Sequence, residues 1–404
     1  MYIPRLFGLE VVMKKLWQRL AAFLGILVAL VACAAPFGTG ETQSSDQVAT
    51  AAAMTLQALA PETTNTSTPL FPHRLYFLGH DNQGLSQIYC LERDGKTITQ
   101  LTFESADVDD YDISAAHGSI VYVANHQLLW INADGSNRHL FVDGGGDPVF
   151  SPDGKRLAYT RGGLYLYDFS TGANTLAIPD HPNDGSMPPE TYAPDIFSPD
   201  GTKLLVTVGH PPDSPSTAAI YTLATTVLAQ FGGENQALTC CNFYGGPEWT
   251  ADSSSFYTVA SQIDSSYKFG ELWRVDTASA AVTTMLSMGE GTINLPKEPY
   301  LAPDGLLYFF LGSYPVDSGF FDAPVLQLIR SSPNGVTGRT VLRTENFVMM
   351  NEALWAPDAS FVIVATDPMR NWDQGGGVLE LYPANGQKNK VWLAPFGKQM
   401  KWGP

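Results

Sequence analysis

The phrase FSPDGKRLAY at residues 150–159 recurs as FSPDGTKLLV at 197–206 and as LAPDGLLYFF at 301–310. Less regular copies are WTADSSSFYTV at 249–259, WAPDASFVIV at 355–364 and ISAAHGSIVYV at 113–123. Successive copies begin 37 to 54 residues apart, which is the spacing of propeller blades rather than of helical repeats. The repeat therefore predicts one supersecondary unit that is copied around a core.

The composition of the phrase follows from turn chemistry. In Ser151-Pro152-Asp153-Gly154, proline presets its φ near −65°, aspartate suits the next position, and glycine accepts a positive φ. Segments with strand character follow at 157–159, 164–168 and 175–178, with a polar turn at 170–173. Four short strands joined by tight turns are typical of a propeller blade. We interpret the Asp and Gly residues of these phrases as turn residues rather than catalytic ones.

The number of units can be counted from their first strands, which are predicted at 111–114, 148–151, 195–198, 247–250, 299–302 and 353–356. Residues 74–102 supply three further strands without a first one, and QMKWGP at 399–404 resembles the missing first strand. The prediction is an all-β, seven-bladed β-propeller of four-stranded antiparallel sheets, closed by the C-terminal strand. Six blades remain the alternative. Closure removes the exposed strand edges of an open array.

These phrases resemble the TolB-type propeller repeat, which also forms the propeller of prolyl oligopeptidase-like enzymes. The resemblance rests on SPDG at Ser151 and Ser198, APDG at Ala302 and APDA at Ala356, and it covers most of the chain after about residue 73. It implies the fold, while the family's functions range over scaffolds, binding proteins and enzyme accessory domains. TolB has six blades, so a seventh would be a departure from it.

The N-terminal region predicts export. Lys14, Lys15 and Arg19 precede the apolar run 20–31, which is typical of a signal sequence. Leu30-Val31-Ala32-Cys33 resembles a bacterial lipoprotein signal, with Cys33 as the lipidated residue; an ordinary secretory signal is the alternative, and Met13 is the more natural start. The predicted organisation is a signal peptide at 1–32, a flexible tether at 33–72 and the propeller at 73–404. The protein is then an extracytoplasmic, membrane-anchored lipoprotein of the periplasm or cell surface.

Charge and motifs exclude several functions. The net charge of −17, from 40 acidic and 23 basic residues, argues against nucleic-acid binding, which needs clustered Lys and Arg. The sequence contains no Gly-x-Ser-x-Gly, His-Glu-x-x-His or phosphate-loop motif. The acidic run Asp107–Asp112 lacks the Gly and Glu of a calcium loop, so we interpret it as a solvated loop. Cys90 is predicted to be a core thiol, and whether Cys240 and Cys241 form a disulfide is left open. Neither a metal nor a cofactor is predicted.

Loop lengths indicate where a ligand would bind. The loops between second and third strands, and between successive blades, are predicted at one end of the propeller, the long-loop face. They are long at 181–192, 209–217, 232–245, 262–270, 313–323 and 367–377. Long loops on a rigid scaffold commonly carry binding sites. The candidate ligand-binding residues are Tyr192, His210, Tyr244, Tyr267, Tyr314, Phe321, Arg370 and Trp372.

Two functions remain open. The favoured one is a non-enzymatic, monomeric module that binds a protein or peptide of the cell envelope through the long-loop face, in keeping with the resemblance to TolB. The alternative is an extracellular glycan-binding protein or oligosaccharide lyase that uses the same face. It would need His181 or His210 to meet Arg370 and an acid such as Asp264 or Asp373.

Overall fold

The computed structural model describes residues 69–181, 189–210, 214–231, 236–237, 246–262, 270–287, 292–315, 325–348, 350–367, 375–386 and 388–404. One compact unit extends over Thr68–Pro404. All regular secondary structure in these ranges is β-strand. A search of the same residues for a helix long and apolar enough to cross a membrane finds none.

The strands in the first half of the unit are short, mostly of five or six residues. Their bounds are β1 Leu75–His80, β2 Ser86–Leu91, β3 Ile98–Gln100, β4 Val108–Ile113, β5 Ile120–Ala124, β6 Gln127–Ile131, β7 His139–Asp143, β8 Gly146–Phe150, β9 Arg156–Thr160, β10 Gly163–Asp168, β11 Asn174–Pro179, β12 Thr191–Phe197, β13 Lys203–His210 and β14 Ser214–Thr222.

The strands of the second half are more uneven in length, and the last one has 12 residues. Their bounds are β15 Val227–Phe231, β16 Gln236–Ala237, β17 Glu248–Trp249, β18 Ser255–Gln262, β19 Gly270–Asp276, β20 Val282–Leu286, β21 Thr292–Leu301, β22 Leu307–Pro315, β23 Gln327–Ser331, β24 Thr340–Val341, β25 Met350–Trp355, β26 Phe361–Thr366, β27 Gly377–Pro383 and β28 Val391–Trp402.

Hydrogen bonding arranges these strands in six antiparallel sheets. Four sheets contain four consecutive strands each: β4–β7, β8–β11, β12–β15 and β21–β24. A fifth is formed by β18, β19 and β20, with both β16 and β17 pairing with β18. The sixth has seven strands in the order β25-β26-β27-β28-β1-β2-β3. Six of the predicted first strands overlap β4, β8, β12, β17, β21 and β25.

The seven-stranded sheet consists of two four-stranded groups that share β28. The beginning of β28 pairs with β27, where Val391 lies opposite Leu381. Its end pairs with β1, where Lys401 lies opposite Tyr76 and Trp402 opposite Leu75. The predicted closure by the C-terminal strand is therefore present. Counted this way, the described strands form seven groups, six of four strands and one of five, and we number them 1 to 7 from the group of β28, β1, β2 and β3.

We call the first strand of each group its inner strand, and most inner strands contact those of the neighbouring groups. Contacts join β28 to β4, β4 to β8, β8 to β12, β17 to β21, β21 to β25, and β25 to β28. Apolar clusters fill the spaces between adjacent sheets. The largest cluster combines residues of groups 5, 6 and 7, with Phe309 and Phe310 at its centre and Trp355 beside them. Fully burying a side chain of this kind stabilises a fold by about 1.5–3 kcal/mol.

The repeated turns adopt the conformation that the phrase predicts. In the first SPDG turn, Ser151 is buried and its Oγ donates to Asp153 Oδ1 at 2.7 Å. The same carboxylate oxygen accepts from the Lys155 N–H at 3.0 Å, and Gly154 has a φ of 67°. A Cβ at Gly154 would lie 2.6 Å from Ser114 Oγ, so both the conformation and the close packing require glycine.

The core begins before residue 73, the first residue of the predicted propeller. Phe71, in the segment predicted as tether, is 1% exposed. Its ring centre lies 6.0 Å from that of Phe361 and 5.8 Å from that of Trp402. Burying an apolar side chain of this size against the closing strand lowers the free energy of the folded state. Residues 69–72 thus belong with the sheets.

The connections differ between the two ends of the groups. Those between first and second strands, and between third and fourth, have four to eight residues throughout; we call this end the turn face. At the long-loop face, the connections range from two residues at 125–126, 144–145 and 161–162 to eleven at 180–190 and 316–326. Sixteen residues separate β15 from β17, and β16 lies within them. The longest connections lie after group 3, as expected, but the one predicted at 209–217 has only three residues, because β13 extends to His210 and β14 begins at Ser214.

Deleting residues 399–404 should lower the midpoint of thermal unfolding by at least about 5 °C, because it removes the β28–β1 pairing and the buried Met400. Circular dichroism measures the loss. Trp392→Ala, at a 58% exposed position in the other half of β28, is the control and should melt like the wild type. A truncated protein with an unchanged midpoint would contradict a stabilising role for the closure.

Candidate functional site

The inner strands carry a polar residue at a recurring position, four residues before the first turn residue. It is Asp110, Asp147, Glu298, Glu352 or Gln399 in five of the seven groups. The strand register shifts beside each of them, which is the mark of a β-bulge. Asp147, Glu298 and Gln399 have positive φ values of 46°, 50° and 51°. Because bulges redirect side chains, this position has a different orientation from the rest of the strand.

Glu352 joins group 7 to the closing strand. Its Oε2 accepts a hydrogen bond from the Gln399 N–H at 2.6 Å, and its Oε1 accepts one from the Met400 N–H. One group earlier, Glu298 Oε1 accepts from the Ala353 N–H at 3.2 Å. Each carboxylate thus binds the backbone of the next inner strand.

Lys401 continues these links from the closing strand to group 2. Its Nζ donates to the Tyr111 carbonyl oxygen at 2.6 Å and to Asp112 Oδ1 at 2.9 Å. The Tyr111 hydroxyl donates in return to the Gln399 carbonyl oxygen at 2.7 Å. Asp112 Oδ2 then accepts from the Phe150 N–H in group 3, also at 2.7 Å. Polar side chains therefore connect groups 6, 7, 1, 2 and 3 in an unbroken series.

We call Asp110, Asp112, Glu248, Glu298 and Glu352 the inner-strand carboxylates. Burial raises the pKa of Glu248 to about 8. Burial, with the nearby charge of Glu352, raises the pKa of Glu298 to about 8 as well. Burial also raises the pKa of Asp110 to about 6, although the charge of Lys401 opposes the change. Several of these groups therefore bind a proton within the ordinary physiological range.

Two lysines lie among these carboxylates. Lys297 is 5% exposed, and its Nζ donates to the Met350 carbonyl oxygen at 3.2 Å. Burial lowers its pKa to about 8, with Glu298 opposing the change. Burial also lowers the pKa of Lys401, but the attraction of Asp112 and Asp110 outweighs it and the net shift is upward. Lys401 is thus held charged beside group 2.

Glu298, Glu352 and Asp112 join neighbouring sheets. Within the described ranges there is no group of three or more His, Cys, Asp or Glu side chains placed to hold a metal ion. Glu298, Glu352 and Asp112 already accept backbone N–H groups of a neighbouring strand. These contacts assign them to the scaffold.

The interpretation of Asp107–Asp112 as a solvated loop is wrong for most of the run. Residues 108–113 form β4, an inner strand, and only Asp109 among the acids of that strand is exposed. Asp110 and Asp112 are half-buried against neighbouring inner strands. Alternation of apolar and acidic residues (VDDYDI) was the available signal. Comparing the position four residues before each turn would have found the recurring acids.

The predicted ligand-binding residues have different outcomes. Tyr192 is 5% exposed and its ring packs with Leu204 and Val206 in an apolar cluster, because it lies on the core side of β12. Tyr314 is half-buried at the end of β22, and its hydroxyl donates to the Val325 carbonyl oxygen at 2.7 Å. The backbone of His210 is described but its side chain is not. The other candidates lie outside the described residues: Tyr244, Tyr267, Phe321, Arg370 and Trp372. Cys33, Cys240 and Cys241 also lie outside them, and Cys90 is a buried free thiol.

His181 has acidic neighbours at the base of its loop. It forms an antiparallel bridge with Glu190, and its Nδ1 lies 3.4 Å from Glu190 Oε2. The Tyr192 hydroxyl donates to the same oxygen. Asp180 Oδ1 accepts from the Tyr192 N–H at 3.1 Å, and burial raises the pKa of Asp180. An imidazole, two carboxyls and a phenol thus meet at the long-loop face.

Comparison with known proteins rests on structure alone. No protein-family model matches the sequence, and no curated protein does. Prolyl oligopeptidase B from Galerina marginata matches with a TM-score of 0.53 and 10% identity over 88% of this chain and 56% of that one. A puromycin-hydrolyzing peptidase from Mycobacterium tuberculosis matches with a TM-score of 0.50 and 14% identity over 80% of this chain and 53% of that one.

The fold is a β-propeller. The all-β propeller predicted from the repeated phrase is confirmed, and identities of 10% and 14% show the fold alone. The propeller spans about half the length of these two peptidases. TolB from Acinetobacter baumannii is similar too, with 15% identity over 90% of this chain and 74% of that one and a TM-score of 0.42.

Glu298→Gln should make the propeller less sensitive to rising pH. Folded Glu298 keeps its proton up to a pKa of about 8, whereas an ordinary Glu releases it near 4.5. Between these values unfolding releases a proton, so the free energy of unfolding falls as pH rises. Glutamine cannot ionise, and the variant should gain about 1–3 kcal/mol on the wild type between pH 5 and pH 8.

Urea unfolding at pH 5 and pH 8 measures this difference. Asp109→Asn, which removes an exposed charge from the inner strand β4, is the matched control and should follow the wild type. Equal pH dependence of Glu298→Gln and wild type would rule out proton binding at Glu298.

Proposed function

We propose that this protein is an extracytoplasmic β-propeller, anchored to a membrane through lipid on Cys33, that binds a protein or peptide partner at its long-loop face. It acts as a binding module or scaffold and works as a monomer. The observation that carries the proposal is the contrast between the two faces. Connections at the turn face have four to eight residues in every group, whereas those at the long-loop face range from two to eleven, with sixteen residues between β15 and β17.

Short, uniform turns are sufficient to join strands, so longer connections are not needed for the fold. A long connection costs conformational entropy when it is ordered. Loops longer than the fold needs, gathered at one end of a rigid scaffold, are common places for binding sites. The long connections follow β11, β15, β22 and β26, so the partner is expected to contact groups 4 to 7 more than groups 2 and 3.

The residue types in these loops suggest the chemistry of the partner. Tyr244, Tyr267, Phe321 and Trp372 supply aromatic side chains, and the whole chain has a net charge of −17. Aromatic residues are enriched at protein interfaces, and a negative surface attracts a positively charged partner. A basic segment of an envelope protein fits both properties. The described Tyr192 is not part of this surface, because its ring is buried.

A second candidate is a glycan-binding protein or oligosaccharide lyase that uses the same face. The observation that favours it is the contact of His181 with Glu190 and of Tyr192 with Glu190. An imidazole beside a carboxylate can act as a general acid or base. Arg370 and the side chain of His210, which this mechanism would also use, lie outside the described residues.

A photo-crosslinking amino acid placed at Tyr267, Phe321 or Trp372 should capture a partner as a band of defined mass in cells. The same amino acid at Thr225, Ser279 or Val336, which lie in turn-face connections, should not. Blotting and mass spectrometry of the adducts measure the difference. Equal capture from both faces, or none from the long-loop positions, would contradict binding at this face. Protection of the long-loop positions by added oligosaccharide would favour the glycan candidate instead.

Cys33→Ser should release the protein from the membrane fraction and abolish incorporation of a labelled fatty acid, because one acylated cysteine carries the proposed anchor. Fractionation and labelling in cells measure both effects. Cys90→Ser, at a buried position in β2, is the matched control and should remain membrane-bound and labelled. Labelling that persists in Cys33→Ser would rule out this anchor.

A further inference from the structure

A cavity lies between groups 2 and 3, close to the turn face and apart from the long connections. Its volume is about 430 Å³, within the range of small-molecule sites. The lining comes from β6 and β7 of group 2 and from β10, the turn after it and the start of β11 in group 3. Binding here would be independent of the function proposed for the long-loop face.

Aromatic rings form the walls of the cavity. The ring centres of Trp130 and Phe141 are 6.3 Å apart with planes inclined by 30°, and those of Trp130 and Phe169 are 5.5 Å apart. Tyr167 lies with its ring centre 5.1 Å from that of Phe141 and 4.9 Å from that of Phe169. All four rings are half-buried, so each still presents surface to the cavity. They are held by contacts to one another and to the buried Phe150.

Polar groups stand beside these rings. His139 is exposed, and its Nδ1 lies 2.8 Å from the Asn137 carbonyl oxygen, so in the neutral ring Nδ1 carries the hydrogen and Nε2 is an acceptor. Asn174 is exposed and hydrogen-bonds through its amide to the Tyr159 hydroxyl at 2.6 Å, which fixes the amide plane and leaves a second N–H. The Tyr167 hydroxyl adds a donor and acceptor. The lining includes no Asp, Glu, Lys or Arg.

We propose that this cavity binds a neutral sugar. A pyranose has one face of C–H groups that packs on aromatic rings, and a rim of hydroxyls that both donate and accept hydrogen bonds. An anionic ligand would find no cation in the lining and would be repelled by the net charge of −17. A cation would find no carboxylate there. A purely apolar ligand would displace water from His139, Tyr167 and Asn174 without replacing its hydrogen bonds.

Isothermal titration of the full-length chain in micelles of a detergent without a sugar head group, with maltotriose, cellotriose, triacetylchitotriose and galactotriose, tests the proposal. At least one of these should bind. Trp130→Ala should weaken that binding at least about tenfold by removing a stacking surface. Leu140→Arg places a long cation at the cavity from a position that is 49% exposed and should also weaken it without disturbing the core. Trp392→Ala, at an exposed tryptophan away from the cavity, should bind like the wild type.

Several outcomes would overturn the proposal. One is the absence of binding by any of the four sugars to the wild-type protein. Another is binding that persists in both Trp130→Ala and Leu140→Arg, since the sugar would then lie elsewhere. Displacement of the sugar by a proline-rich peptide at lower concentration would show that the cavity serves a peptide. Because the positions expected to capture the partner, Tyr267, Phe321 and Trp372, are at the other face, this test and that of the proposed partner can fail separately.

Discussion

Closing a ring of sheets requires its first and last strands to meet, and in this protein β28 provides that meeting. The strand continues from the outer edge of group 7 into the inner position of group 1. It therefore removes two exposed strand edges at once, because it pairs with the side of β27 that faces away from β26 and with the side of β1 that faces away from β2. Only a closed ring brings the inner strands of groups 7, 1 and 2 into contact. The Glu352 and Lys401 contacts lie at this junction, and they fasten the closing strand to groups 7 and 2.

The cost of that arrangement is a set of carboxyl groups in surroundings poor in water. Isolated buried charges are strongly disfavoured, and a buried acid responds by keeping its proton or by accepting several hydrogen bonds. Both responses are found here. Glu248 and Glu298 keep a proton, with pKa values of about 8, whereas Glu352 accepts two backbone N–H groups from the closing strand. The inner strands thus tolerate acidic residues in two ways: some carboxyl groups are protonated, and others accept hydrogen bonds from backbone N–H groups.

Local chemistry made most of the fold predictable from sequence. The Ser-Pro-Asp-Gly turn needs little beyond its own residues, so its copies located the inner strands and their order. Closure could be predicted because Lys401-Trp402-Gly403-Pro404 repeats the residues before a turn. The acidic run at 107–112 was misjudged because alternation alone does not tell whether the polar side of a strand meets solvent or another strand. The aromatic cavity also escaped prediction, since Trp130 and Phe169 are distant in sequence and meet only when two sheets pack. The sequence also did not distinguish the buried Tyr192 from the aromatic residues of the loops, because its burial depends on the packing of two sheets.

The position of β28 also has a consequence for biosynthesis. Residues 75–78 are made long before residues 398–402, which pair with them. Until then β1 has an unpaired edge, and contacts over such a long stretch of chain form slowly. Groups 2 to 6 can form in order as they emerge, whereas group 1 must wait for the last strand. The nascent protein is therefore most exposed to aggregation in the interval between synthesis of β1 and synthesis of β28.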